Sequence, residues 1–173
     1  MATAPNNPPL GAGLRLASSA RSARLDHEYF EKEVRPMLGS ILLKKRWITP
    51  ERLDAALAER TTSGMRLGEV LLSRGWIFES ELAHALAEQF DLPYIDLAAK
   101  SVDPTVAGLL PLEVARRLFA VPVRFVGEDG IQVAIADPTD VDAALLEGVL
   151  RQRVELVIAE RSAIQTAWRK LQP

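Results

Sequence analysis

The stretch "RLGEVLLSRGWIFESELAHALAEQ", residues 66–89, is the second of two versions of one phrase, the first being "MLGSILLKKRWITPERLDAALAER" at residues 37–60, 29 positions upstream. Each version has two apolar clusters: Ile41, Leu42 and Leu43, then Leu53 and Leu57, and correspondingly Val70, Leu71 and Leu72, then Leu82 and Leu86. Leu53/Leu57 and Leu82/Leu86 are i, i+4 pairs, which share one helical face. Each version therefore reads as helix, turn, helix. Gly75 suits the left-handed conformation that ends a helix, whereas its counterpart Arg46 carries a steric cost there. The caps rank the other way, since Thr49 with Pro50 opens a helix well and the matching Phe78 cannot cap. The spacer "TTSGM", residues 61–65, reads as a loop joining the hairpins.

The pattern changes on either side of the repeat. The first 24 residues carry three Arg and no acid among Pro, Ser, Ala and Gly, and we expect a disordered tail over residues 1–25, with a short charged helix at 26–35. After Phe90, "DLPYIDL" reads as extended, and "DPTVAGLL" and "PLEVARRL" as two short helices, the first capped by Asp103. "AVPVRFV" at 120–126 and "IQVAIAD" at 131–137, separated by "GEDG", carry a hairpin signal. "DPTDVDAALLEGVLRQ" then reads as a helix, "VELVIA" as a third strand and "RSAIQTAWRKL" as a closing helix. The expected fold is α+β: two tandem helical hairpins over 26–90, followed by a ββαβα subdomain with a three-stranded sheet over 91–173.

Composition excludes several functions. The 173 residues are 48% apolar and 25% charged with a formal net charge of −2, so no global field draws in a nucleic-acid polymer. The absence of Cys removes disulfides, thiolate zinc sites and cysteine nucleophiles, and it fits a reducing, cytoplasmic setting. Apolar runs such as 109–112 are far short of the roughly 20 residues of a membrane helix. No Gly-x-x-x-x-Gly-Lys-[Ser/Thr] phosphate loop and no Gly-x-Ser-x-Gly elbow occurs, which leaves no visible motor or hydrolase. His27 and His84 read as ordinary helix residues, Trp47 and Trp76 as turn anchors, and Asp137, Asp140 and Asp142 as helix-capping acids. Arg66, Leu67 and Gly68 open a helix whose free N–H groups would suit an anion, but spacing alone favours the plainer reading that Gly68 lets two hairpins pack closely.

The second copy fits RLGxxLLxxG, two apolar residues, then xxxxLxxxLxxQ. With its doubling at a 29-residue offset, and with "LPYIDL", "LLPLEVARRLFAVPV" and "VAIADPTDVDAALL" downstream, the chain resembles the MshEN domain. That domain is the N-terminal module of type II secretion and type IV pilus assembly ATPases. The resemblance implies one of two roles: docking on a protein component of such a machine, or binding cyclic di-GMP. The residues it implies for the ligand are Arg66, Leu67, Gly68, Leu71, Leu72, Gly75, Leu82, Leu86 and Gln89 from the second copy, Leu38, Gly39 and Leu42 from the first, and Asp137 as a guanine-edge acceptor. The first copy departs from the motif, with Met37 for Arg, Arg46 for Gly and Arg60 for Gln. Arg46 and Arg60 are the cations it offers instead, neither at the matching position. The leading expectation is a non-enzymatic docking and regulatory module, stand-alone or separated from its motor. Such a module would be cytoplasmic, would not insert in a membrane and would reach the inner membrane through its partner. The alternative is a cyclic di-GMP receptor. No metal or other cofactor is implied.

Overall fold

The computed structural model describes residues 36–98, 102–141 and 143–171. The expected tail, the charged helix at 26–35, His27 and Asp142 lie outside the described residues. Residues 36–173 make one compact unit. The repeat folds as two hairpins: α1 (Leu38–Lys44) with α2 (Pro50–Ser63), and α3 (Leu67–Ser73) with α4 (Glu79–Phe90). Thr49 caps α2 by accepting from the Arg52 N–H at 3.4 Å. At α4, where Phe78 has nothing to offer, Glu81 reaches back and accepts the Phe78 N–H at 2.8 Å. The spacer differs from expectation. α2 runs on to Ser63 and ends at the left-handed Gly64, so three of the five spacer residues are helical. Thr61 and Thr62 fit because their hydroxyls donate to the carbonyls of Ala58 and Glu59 one turn back.

The two hairpins pack reciprocally. Lys45 of the first pairs with Glu88 of the second at 2.8 Å, and Arg74 of the second pairs with Glu59 of the first at 2.8 Å. Since 45 and 74, and 59 and 88, are each 29 apart, one pair maps onto the other when the copies are exchanged, as across a twofold axis. Their shared core holds Leu42 and Leu71, Ile48 and Ile77, and Ala56 and Ala85, all buried. Each hairpin closes the same way: a Cβ at Gly39 would lie 3.1 Å from Leu53, and one at Gly68 would lie 2.9 Å from Leu82. The glycines thus admit the leucine of their own hairpin, not the neighbouring hairpin.

The turn glycine is replaced at a cost. Arg46 sits at φ 59° where Gly75 sits at φ 63°. A side chain there crowds the following carbonyl by roughly 1–2 kcal/mol, part of which glycine gives back in unfolded-state entropy. Arg46→Gly should raise the unfolding free energy by about 0.5–1 kcal/mol, read from the urea midpoint at unchanged slope.

The second half begins with α5 (Pro104–Ala107), capped by Asp103, and α6 (Leu112–Leu118). Strands β1 (Ala120–Val126) and β2 (Gly130–Ile135) form the antiparallel hairpin. α7 (Ala143–Leu150) crosses over to β3 (Arg153–Ile158), parallel to β2, and α8 (Arg161–Leu171) closes the chain. The sheet order is β1-β2-β3, and the fold is α+β as expected. Tyr94 bridges β3 at Ile158, which docks the exit of the helical half along the sheet edge. One boundary is corrected: 136–140 is a turn and α7 starts only at Ala143, because the acids of that turn bind elsewhere.

α4 ties the two halves together, since Ala83, Leu86 and Ala87 belong to the core under the sheet. Their counterparts in α2 are Asp54, Leu57 and Ala58, and no strand among the described residues covers that face. Leu86 is therefore 7% exposed and Leu57 37%, although both occupy the same motif position. Among the described residues no helix is long and apolar enough to cross a membrane, and no cluster of His, Cys, Asp or Glu could hold a metal.

Candidate functional site

A groove of about 410 Å³ opens where the hairpins meet the 136–140 turn and the start of α8. That volume lies within the range of small-ligand sites. Its apolar wall is built from Leu38, Leu67, Leu72, Leu82 and Leu86, and its polar rim carries Arg60, Arg66, Gln89, Asp137 and Arg161. Leu38 and Leu67 are equivalent repeat positions, as are Arg60 and Gln89, so both copies reach the groove. The second copy supplies more of it.

Arg66 stands at the N-cap of α3, in extended geometry, with its N–H donated to Glu69 at 2.9 Å. Both terminal nitrogens of its guanidinium are held by the 136–140 turn. Nη1 donates to Asp137 at 3.0 Å, to Thr139 at 2.8 Å and to Asp140 at 2.8 Å, while Nη2 donates to the other Asp140 oxygen at 2.6 Å. The Asp140 hydrogen bond holds Arg66 above its ordinary proton affinity, against a smaller desolvation effect. Asp137 in turn accepts the Thr139 N–H at 2.8 Å and hydroxyl at 2.6 Å, which folds the turn on itself. Asp137 and Asp140 thus grip an arginine 71 and 74 residues away instead of capping α7.

Two further ties shape the rim. Glu79, at the first position of α4, accepts the Ser162 N–H at 3.0 Å and fixes the start of α8. Tyr94 donates to Glu160 at 3.1 Å and stacks on His84, ring centroids 3.9 Å apart. Burial first, then the Glu160 carboxylate, pushes the Tyr94 phenol up to about 12, so it keeps its proton and stays a donor. Arg161 lies over the Phe119 ring at 3.9 Å.

Nine of the residues implied for a ligand line the groove: Leu38, Arg66, Leu67, Gly68, Leu72, Leu82, Leu86, Gln89 and Asp137. Four do not. Leu42 and Leu71 are fully buried in the helical core, Gly39 lies against Leu53, and Gly75 forms the α3–α4 turn. Arg161, Glu79 and Thr139 were missed, and nothing local in the sequence marks them. Topology alone carries them to the rim.

A model of the MshEN domain matches residues 90–173. The chain is 34% identical over 131 residues to the type IV pilus assembly ATPase PilB of Myxococcus xanthus strain DK1622, an overlap of 75% of this chain and 23% of PilB. It thus spans less than a quarter of that relative. Its fold resembles that of MshE with cdg, at TM-score 0.69 and 34% identity over 80% of this chain and 100% of the other. It also resembles the N-terminal domain of XpsE, at TM-score 0.58 and 26% identity, over 80% and 94% respectively. The repeat, the groove and these likenesses agree, and the chain belongs to the MshEN domain family.

Proposed function

We propose that the chain is a non-enzymatic regulatory module of a secretion or pilus-assembly machine that takes cyclic di-GMP in the groove between the hairpins and the 136–140 turn. One observation carries this reading: residues from both repeat copies and Asp137, scattered over a hundred positions, converge on one groove with an apolar wall and a polar rim. The likeness along the whole length of an MshE structure with cdg supports it. Leucine walls suit the faces of purine rings, and Gln89 and the arginines suit their polar edges and phosphates. The test is titration calorimetry with cyclic di-GMP at near-physiological salt, beside Leu67→Glu. A carboxylate at the first position of α3 suits the helix dipole, so the fold should survive while the groove turns against an anion. Micromolar or tighter binding, lost in Leu67→Glu at unchanged melting temperature, is the expected result; no heat in the wild type rejects the ligand.

A docking role on a protein component of the machine is the second reading, favoured by large apolar side chains exposed on the helical half. Met37 is 71% exposed and Phe78 74%. In this reading the module is cytoplasmic and reaches the inner membrane through that partner.

A further inference from the structure

The motif arginine would be the obvious anion-binding group, yet the charge of Arg66 is already met by two carboxylates. Four of its hydrogen bonds go to Asp137, Thr139 and Asp140, and two of those partners are carboxylates that neutralise it and repel an incoming phosphate. The other groove carboxylates are also committed, Glu69 to the Arg66 N–H, Glu79 to the Ser162 N–H and Glu160 to Tyr94. Two guanidiniums on the rim are not. Arg60, in the last turn of α2, is exposed and forms no ion pair among the described residues. Arg161 stacks on Phe119, an arrangement that leaves its N–H edge free to donate.

Resting on the reading that the groove takes cyclic di-GMP, we infer that Arg60 and Arg161 hold the ligand's phosphodiester charge, and that Arg66 is a positioning residue that pins the 136–140 turn as a groove wall. The first copy has lost its motif cation at Met37 and gained one at the opposite end of its motif. Arg60 stands where the second copy has Gln89, so the repeat exchange itself brings it to the rim.

This assignment makes Arg60→Gln a sharp test, because that change restores the residue the motif has at the position. If Arg60 were mere drift, restoring the motif would tighten binding. Here it should weaken cyclic di-GMP binding by about 10-fold or more, as should Arg161→Gln, the usual consequence of losing a charge-assisted contact. Arg60→Lys keeps a point charge for a phosphate and should stay within about 3-fold of the wild type. Asp140→Ala, which removes two of the four hydrogen bonds that hold Arg66 and leaves it paired with Asp137, should give no gain in affinity. The experiment is calorimetry of the full chain with cyclic di-GMP, each variant checked by its melting curve. Wild-type or tighter binding in Arg60→Gln or Arg161→Gln, an Arg60→Lys as weak as the glutamine variant, or tighter binding in Asp140→Ala overturns the assignment and leaves the groove reading standing. No binding by the wild type overturns both.

Discussion

Trp168→Ala should lower the unfolding free energy by about 3–5 kcal/mol, a large share of what a domain of this size possesses. The indole is 8% exposed, and its Nε1 donates to the Ala120 carbonyl at 3.2 Å, which clips α8 to the first residue of β1. It also packs on Phe119, ring centroids 5.7 Å apart, and that is the ring under Arg161. Truncation leaves a cavity beneath the sheet and removes the donor from a buried carbonyl. Trp168→Phe should cost less, about 1–3 kcal/mol, since much of the packing stays and mainly the hydrogen bond is lost. Urea denaturation followed by far-ultraviolet dichroism would measure both. A loss under about 1 kcal/mol for the alanine variant would mean that α8 is not clipped in this way.

Leu71→Ala comes next, at about 2–5 kcal/mol. Leu71 is fully buried between the hairpins, as is its repeat counterpart Leu42, and Leu42→Ala should fall in the same range. The two sites share one core, so the double variant should depart from additivity. Purely additive losses would place the leucines in independent cores and contradict a core shared between the hairpins.

Much of the fold was legible because local rules and tertiary context agree. The i, i+4 leucines make hairpins, "AVPVRFV" is β1 without a residue's error, and "RSAIQTAWRKL" is α8. Where the reading failed, a distant partner outweighed a local preference. The acids of "DPTD" look like helix caps, and they fold as a turn because Arg66 offers a better counter-charge. Leu57 looks like Leu86 in the sequence, and only the sheet packed against α4 distinguishes them. The site was half legible for the same reason. Repeat positions that face the groove and those that face the core carry identical letters, Leu72 beside Leu71 for instance, and only the direction of each side chain separates them. Arg161 and Glu79 come 82 residues apart and both line the groove, because β3 returns the chain beside α4, which no spacing rule reveals.

The reciprocal pairing of Lys45 with Glu88 and Arg74 with Glu59 has a consequence for the unit itself. Each hairpin position carries both halves of the joint: a cation after its first helix and a glutamate near the end of its second. In two separate chains bearing one copy each, the same two ion pairs would form where the chains meet, in the manner of an isologous homodimer. The short connection through Gly64 replaces that encounter with an intramolecular one, whose effective concentration is set by tether length and not by abundance in the cell. It also frees the copies to diverge: an association between identical chains must keep the same residue on both sides, whereas tethered partners can place Met37 on one side and Arg66 on the other.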